Sequence, residues 1–357
     1  MIAILTILKD LIAIDSTNPP GNCAGITEYI ARFLKNHLFV QVECQETQNG
    51  NKNIIAIFGK PRLFLNAHLD TVPFSSAQTE NSNAFYERDM KLFGRGTADV
   101  KGAISAILYA LQFVQPKNFL LLFNPDEEHG NNIGICTFLH SSYSKGLQCG
   151  IVTEPTQCHV VMFHNGICNM QINFIGKSAH ACAPDEGINA IEIAAEFMHK
   201  LKQYKETLSH QIFLGLKPSI NIAVIHGGTK PNMVPDSCML MLSYRYLPDE
   251  SSEHVVSKIK KLVDQPTTTV KVIYSAPPLN CGIKDTFLVE AFKSCGIDSN
   301  INTAHFWSEA SLFSQAGIPS IVFGPGNIEQ AHSHEEFIDK HELLKSTEIY
   351  KNLFSQF

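Results

Sequence analysis

The residues best suited to chemistry fall in five short segments, each next to an apolar run. Leu63-Phe-Leu-Asn-Ala runs into His68-Leu-Asp70. Side chains two apart on an extended segment face the same way, so Asp70 can orient the His68 imidazole, and a carboxylate behind a histidine raises its basicity as a metal ligand. In isolation such a pair is more often a structural hydrogen bond. Leu120-Leu-Leu-Phe-Asn-Pro ends in Asp126, Glu127 and Glu128, three adjacent acids that repel one another unless a cation sits among them or water solvates them fully. Gly94-Arg-Gly-Thr-Ala-Asp99 precedes a helical pattern, so Asp99 is either an N-cap or an offer of two oxygens to cations. Glu154 ends Gly150-Ile-Val-Thr, and His332 follows Ser320-Ile-Val-Phe by way of Gly324-Pro-Gly326. Open α/β sheets place their sites at the carboxyl ends of strands. If these strands are parallel, His68, Asp99, Glu127, Glu128, Glu154 and His332 converge on one sheet edge. A polynuclear metal site explains that convergence better than five unrelated coincidences.

The elements that must position these residues are legible in the hydrophobic pattern. Residues 53–58, 63–67, 119–123, 151–153 and 320–323 read as strands, with helical patterns at 102–113 and from Lys340. Buried strands separated by helices predict an α/β layer with a mostly parallel sheet flanked by helices. The middle differs: strand 169–175, a long amphipathic helix over 186–204, strands 219–225 and 239–246, a helix over 252–263 and strand 270–274. Strand, helix, two strands, helix, strand is the order of a ferredoxin-like α+β sandwich. The sequence therefore predicts a discontinuous catalytic domain, 1–164 and 276–357, and an inserted domain, 165–275.

Composition narrows the class. The 357 residues are 44% hydrophobic and 17% charged, which supplies a core and excludes disorder and collagen-like repeats. A net charge of −6 argues against a chain-wide nucleic-acid footprint, so no nucleic-acid partner is expected. The 10 cysteines form no C-x-x-C pair and read as reduced, mostly buried thiols. Leu5, Leu8, Leu11 and Ile12 share a helical face. The start lacks a basic region and a cleavage site, and no run reaches the roughly 20 apolar residues of a membrane span. A cytoplasmic location without membrane attachment is expected.

Taken together, H-L-D-T-V-P (68–73), G-R-G-T-A-D-V-K-G (94–102), D-E-E (126–128), T-E-P-T (153–156), G-K-S-A-H (176–180), N-M-V-P (232–235) and G-P-G…A-H (324–332) resemble the M20 metallopeptidase and amidohydrolase family. The resemblance covers essentially the whole chain in order and spacing. It implies a metal-dependent amidohydrolase holding two divalent ions, zinc before cobalt or manganese. One ion would be held by His68 and Glu154 and the other by Glu128 and His332, with Asp99 bridging. It further implies that Asp70 orients His68. Glu127 would be the general base that deprotonates the water between the ions and protonates the leaving amine. His180 would stabilise the oxyanion, often across a dimer interface. Asn232 and Arg245 would bind substrate, the guanidinium clamping an α-carboxylate with two hydrogen bonds. The inserted domain would act as a dimerisation and lid domain in a homodimer.

The C-terminal third, Phe306-Trp-Ser-Glu309-Ala followed by Gly324-Pro-Gly326, resembles family members that hydrolyse Nα-acetyl-L-ornithine to ornithine and acetate in arginine biosynthesis. Glu309 is then expected to attract the δ-ammonium. The Gly324 and Gly326 turn is expected to let backbone N–H groups approach this small N-acyl amino acid. The alternatives within the family are a succinyl-diaminopimelate desuccinylase and a broader aminoacylase, dipeptidase or carboxypeptidase. Lys230 before Pro231-Asn232 adds a cation near the proposed carboxylate clamp.

Overall fold

Strands buried on both faces need continuous apolar runs, and this chain supplies them: every residue of Leu63–His68, Phe119–Asn124 and Cys149–Val152 is buried. The computed structural model describes residues 1–38, 40–73, 84–263, 266–281, 287–294, 296–297 and 302–357. The chain forms two compact units. The first comprises Met1–Met162, Cys281–Asn302 and Ser308–Phe357, and the second Phe163–Asn280 and Thr303–Trp307.

In the first unit the central sheet runs Gln41–Glu46, Lys52–Phe58, Phe119–Asn124, Leu63–His68, Cys149–Val152 and Ser320–Val322, and Val322 pairs onward with Val161. The four strands from Phe119–Asn124 to Ser320–Val322 are mutually parallel, in registers such as Leu65 opposite both Leu121 and Ile151. The strands outside them are antiparallel. The expected mostly parallel sheet flanked by helices is therefore found, with its parallel part at the centre. Helix Lys101–Leu111 is buried along nearly its whole length, between helices Ile4–Ala13 and Lys340–Gln356. The latter helix begins where the Asp339 carboxylate accepts the His341 N–H. A small three-stranded sheet pairs Tyr86–Arg88 with Lys91–Phe93, and that strand with Phe337–Asp339.

The second unit contains a four-stranded antiparallel sheet, in the order Ser219–Gly227, Ser237–Tyr246, Gly166–Ile175 and Thr269–Ala276. Residues alternate buried and part-exposed along Ser237–Tyr246. Its buried set, Cys238, Leu240, Leu242, Tyr244 and Tyr246, packs with Met170, Ile172 and Phe174 against Phe197 and Leu201 of helix Ala190–Leu208 and Val255 and Ile259 of helix Ser252–Lys261. This is the strand, helix, strand, strand, helix, strand sandwich expected. The long helix starts at Ala190 rather than 186, because the Asn189 side chain accepts the N–H groups of Ile191 and Glu192. Of the nine described cysteines six are buried; Cys295 lies outside the described residues.

Candidate metal centre and active site

Parallel register brings the candidate residues together. His68 is the last residue of its strand, Glu127 and Glu128 lie in the loop after Phe119–Asn124, and Glu154 follows Cys149–Val152 by two residues. Asp99 lies just before helix Lys101–Leu111, whose N-cap is Val100 with no side-chain cap, so the Asp99 carboxylate is left for other partners. It lies between two histidines: His68 Nε2 is 2.9 Å from Asp99 Oδ1 and His332 Nε2 is 3.4 Å from Asp99 Oδ2. His332 Nε2 is also 3.1 Å from Glu128 Oε2.

Among the described residues, three sets place one donor atom per residue within 4.8 Å of one another: His68, Asp99 and Glu154; Asp99, Glu128 and His332; and His68, Glu127 and Glu128. Asp99 belongs to the first two sets. His68, Asp99 and Glu154 are buried, Glu127 and Glu128 half-buried, and His332 exposed. His68 Nδ1 lies 3.0 Å from the Asp70 carbonyl oxygen, so an Nδ1–H donor there leaves Nε2 as the free lone pair. Imidazole and carboxylate donors of this kind suit zinc and its neighbours among divalent ions. Glu128 Oε1 is buried with no hydrogen-bond partner, as a carboxylate awaiting a cation would be.

The electrostatics agree. Burial pushes Glu127 and Glu154 well above the usual carboxylate range, with repulsion from neighbouring acids adding to it, and raises Glu128 for the same reasons. Burial opposes ionisation of Asp99 too, but hydrogen bonds from His332 and His68 and their charges hold it well below that range. Hydrogen bonds to Asp99 and Glu128 raise His332 to about 10. His68 rises as well, its carboxylate neighbours outweighing its burial. Protons are retained here because so many acids share so little volume, and divalent cations would replace them.

Four expectations about individual residues take a different form. The Asp70 carboxylate is 3.7 Å from His68 Nδ1, too far for a hydrogen bond. It accepts instead from Asn18 Nδ2 at 2.9 Å and from the backbone N–H groups of Glu127 at 3.2 Å and Glu128 at 3.0 Å, so it holds the acidic loop while its main chain holds His68. Glu309 is 1% exposed, and both its oxygens accept from Asn124 Nδ2 at 2.8 and 3.0 Å. Burial raises its carboxyl to about 8, against the Asn124 hydrogen bonds and the neighbouring His68, which lower it. The N–H groups of Gly324 and Gly326 do not face a substrate: the first donates to Thr156 Oγ1 at 3.1 Å and the second to Glu342 Oε2 at 2.8 Å. The glycines serve close packing. A Cβ at Gly324 would fall 2.7 Å from the Glu154 carbonyl oxygen, and one at Gly326, where φ is +92°, 3.2 Å from Ala98 Cα.

His180, Asn232 and Arg245 belong to the second unit. His180 and Asn232 are neighbours there. Ala179–His180 pairs with Met233–Val234, and the Asn232 carbonyl accepts the Ala181 N–H at 3.1 Å. His180 Nδ1 accepts the Cys182 N–H at 3.2 Å, which leaves Nε2 protonated and exposed as a donor. Arg245 is half-buried on the sheet face opposite the two helices, where burial lowers its pKa.

The comparisons with known proteins identify the family. A sequence model of peptidase family M20/M25/M40 matches residues 64–356. The chain belongs to the M20 peptidase family. An N-acetyl-L-citrulline deacetylase of Xanthomonas campestris pv. campestris is 30% identical over 98% of this chain and 96% of that protein. An acetylornithine deacetylase of Photorhabdus laumondii is 29% identical over 100% of this chain and 95% of that protein. A solved dinuclear metal-binding M20 peptidase of Bacillus subtilis superposes with a TM-score of 0.73 at 16% identity, covering 98% of this chain and 96% of that one. The M20 chain described here is thus a hydrolase of the acetylornithine-deacetylase-like kind. Among its described residues no helix is long and apolar enough to cross a membrane.

Three supporting residues lay outside the sequence reading. Asn18 bridges Asp70 and Asp126, donating to Asp126 Oδ1 at 3.1 Å. Asn124 holds Glu309. Glu336 binds the loop that carries Asp99 through Gly96, Ala98 and Asp99 N–H groups at 2.9, 2.9 and 3.1 Å. Their partners are remote in sequence, and no local pattern marks them.

Proposed function

We propose that this M20 hydrolase is a dinuclear-metal amidohydrolase that removes the acetyl group from Nα-acetyl-L-ornithine, releasing ornithine and acetate in cytoplasmic arginine biosynthesis. The observation that carries the reading is the pair of donor sets sharing Asp99, in a chain whose deacetylase relatives align over nearly its whole length. His68, Asp99 and Glu154 would hold one zinc and Asp99, Glu128 and His332 the other; cobalt or manganese suits the same donors. Two divalent ions there would polarise the amide carbonyl and make water a nucleophile at neutral pH.

The chain's own groups do the rest. Glu127, adjacent to the ligand Glu128 and part-exposed, accepts the proton of the attacking water on its carboxylate and returns it to the departing amine nitrogen. Asp70 fixes the backbone of both glutamates. His180 offers Nε2–H to the oxyanion, and Asn232 and Arg245 bind the polar end of the substrate, Arg245 its α-carboxylate. A homodimer fits the exposed edge strand Ser219–Gly227: it is nine residues long, carries no Asp, Glu, Lys or Arg, and leaves Ile225 46% exposed.

One second reading has an observation behind it. Glu309 is buried and bound to Asn124, which weakens the case for it as a selector of an ammonium, and one relative is named for N-acetyl-L-citrulline, whose side-chain end is neutral. Amine release from Nα-acetyl-L-ornithine, Nα-acetyl-L-citrulline, succinyl-diaminopimelate and a dipeptide on zinc-loaded protein separates the cases. Preference for acetylornithine supports the proposal and preference for acetylcitrulline the second reading. Preference for the succinyl substrate or the dipeptide overturns both.

A further inference from the structure

Four N–H donors converge on one buried carboxylate four residues beyond His332. Glu336 Oε2 accepts Arg95 Nη1 at 2.8 Å and the Gly96 N–H at 2.9 Å, while Oε1 accepts the N–H groups of Ala98 at 2.9 Å and Asp99 at 3.1 Å. Its own carbonyl accepts the Gly94 N–H at 3.0 Å, and the strand that follows it, Phe337–Asp339, pairs with Lys91–Phe93. Glu336 is 4% exposed. The loop from Gly94 to Asp99 is thus wrapped around a side chain from the segment that carries His332.

We propose that Glu336 is a positioning residue: its carboxylate fixes the backbone of Asp99, and through it the carboxylate shared by the two donor sets, and couples that loop to His332. The chemistry requires an ionised carboxylate. An amide offers a single acceptor oxygen, and its NH2 group would confront two of the four N–H donors while Arg95 Nη1 exchanged a charged acceptor for a neutral one. Because Asp99 belongs to both sets, loosening it weakens both ions, whereas loss of Glu154 weakens mainly the ion on His68, Asp99 and Glu154. Groups that orient metal ligands typically contribute about 10- to 100-fold in metal affinity.

This inference rests on the two-ion reading, and one experiment separates the two. Zinc affinity of the metal-stripped full chain is measured by competition with a chromophoric chelator for wild type, Glu336→Gln, Glu336→Asp and Glu154→Ala. Urea unfolding is followed beside each. Wild type that fails to take up two zinc ions refutes the two-ion reading itself. With two ions in wild type, Glu336→Gln is expected to lose affinity at both sites by about 10- to 100-fold, and Glu154→Ala chiefly at one. A folded Glu336→Gln chain that binds both ions as wild type does, or loses only one, overturns the positioning role. If Glu336→Gln does not fold, Glu336→Asp decides. It keeps the charge on a shorter arm and is expected to fold with both affinities reduced; wild-type affinities in it overturn the proposal.

Discussion

Replacing Asp70 by alanine tests how the acidic loop is held. The carboxylate is 1% exposed and accepts three N–H donors, from Asn18, Glu127 and Glu128. A buried donor left unsatisfied costs about 1–3 kcal/mol, so three give roughly 3–6 kcal/mol, allowing for relaxation of the loop. That is a large share of the roughly 5–15 kcal/mol by which a domain is stable. The effect depends on pH with a definite sign. Burial opposes ionisation of Asp70, but the neighbouring His68 and the N–H donors outweigh it and lower its pKa in the folded chain. Its contribution is therefore fully present above the unfolded value of about 3.9 and is lost as pH falls through the lower folded value. Urea unfolding of metal-stripped wild type and Asp70→Ala at pH 7, and at steps down to pH 4, measures the gap. The gap should be several kcal/mol, level from pH 7 to about 5, and should begin to narrow near pH 4. A gap under about 1 kcal/mol at pH 7, or one that widens on acidification, refutes the claim that these three bonds anchor the loop.

Two further substitutions test neighbouring parts of the site. Glu127→Gln should lower turnover by about 10²- to 10⁴-fold, the range for a general base, with two zinc ions still bound by elemental analysis. Loss of an ion would instead make Glu127 a ligand through its set with His68 and Glu128. Gly324→Ala puts a Cβ 2.7 Å from the Glu154 carbonyl oxygen, which is backbone and cannot swing away. It should cost about 1–3 kcal/mol in unfolding free energy and weaken the ion on Glu154 more than the other; equal effects at both ions would show that the contact is not specific to Glu154.

Much of this was legible in the sequence, for identifiable reasons. Runs such as Leu63-Phe-Leu-Asn-Ala and Phe119-Leu-Leu-Leu-Phe are too apolar for an exposed edge, so they announce central strands, and the acids and histidines at their carboxyl ends announce a site. What the pattern could not convey was which atom of a residue makes the contact. Asp70 holds His68 with its main chain and the acidic loop with its side chain, an exchange of roles that H-x-D spacing does not encode. The Gly324 and Gly326 turn looked like an approach for substrate because glycine is compatible with either use; the neighbours of the absent Cβ show that it is close packing against Glu154 and Ala98. Glu309 read as an anion because sequence reports its type, whereas burial beside Asn124 sets its charge. Helix Ala24–His37 and strand Gln41–Glu46 went unread, the strand because its polar, part-exposed residues resemble a loop. The grip of Glu336 on the Asp99 loop spans 237 residues and belongs to the fold alone.

The claim on which everything else depends is that one carboxylate, Asp99, serves two metal ions. Equilibrium dialysis of the metal-stripped chain against zinc, followed by elemental analysis, measures it directly when wild type and Asp99→Ala are run together. Two tightly held ions per wild-type chain are expected, and neither held tightly once Asp99 is removed. A single ion in wild type, or two ions retained by Asp99→Ala, would contradict it.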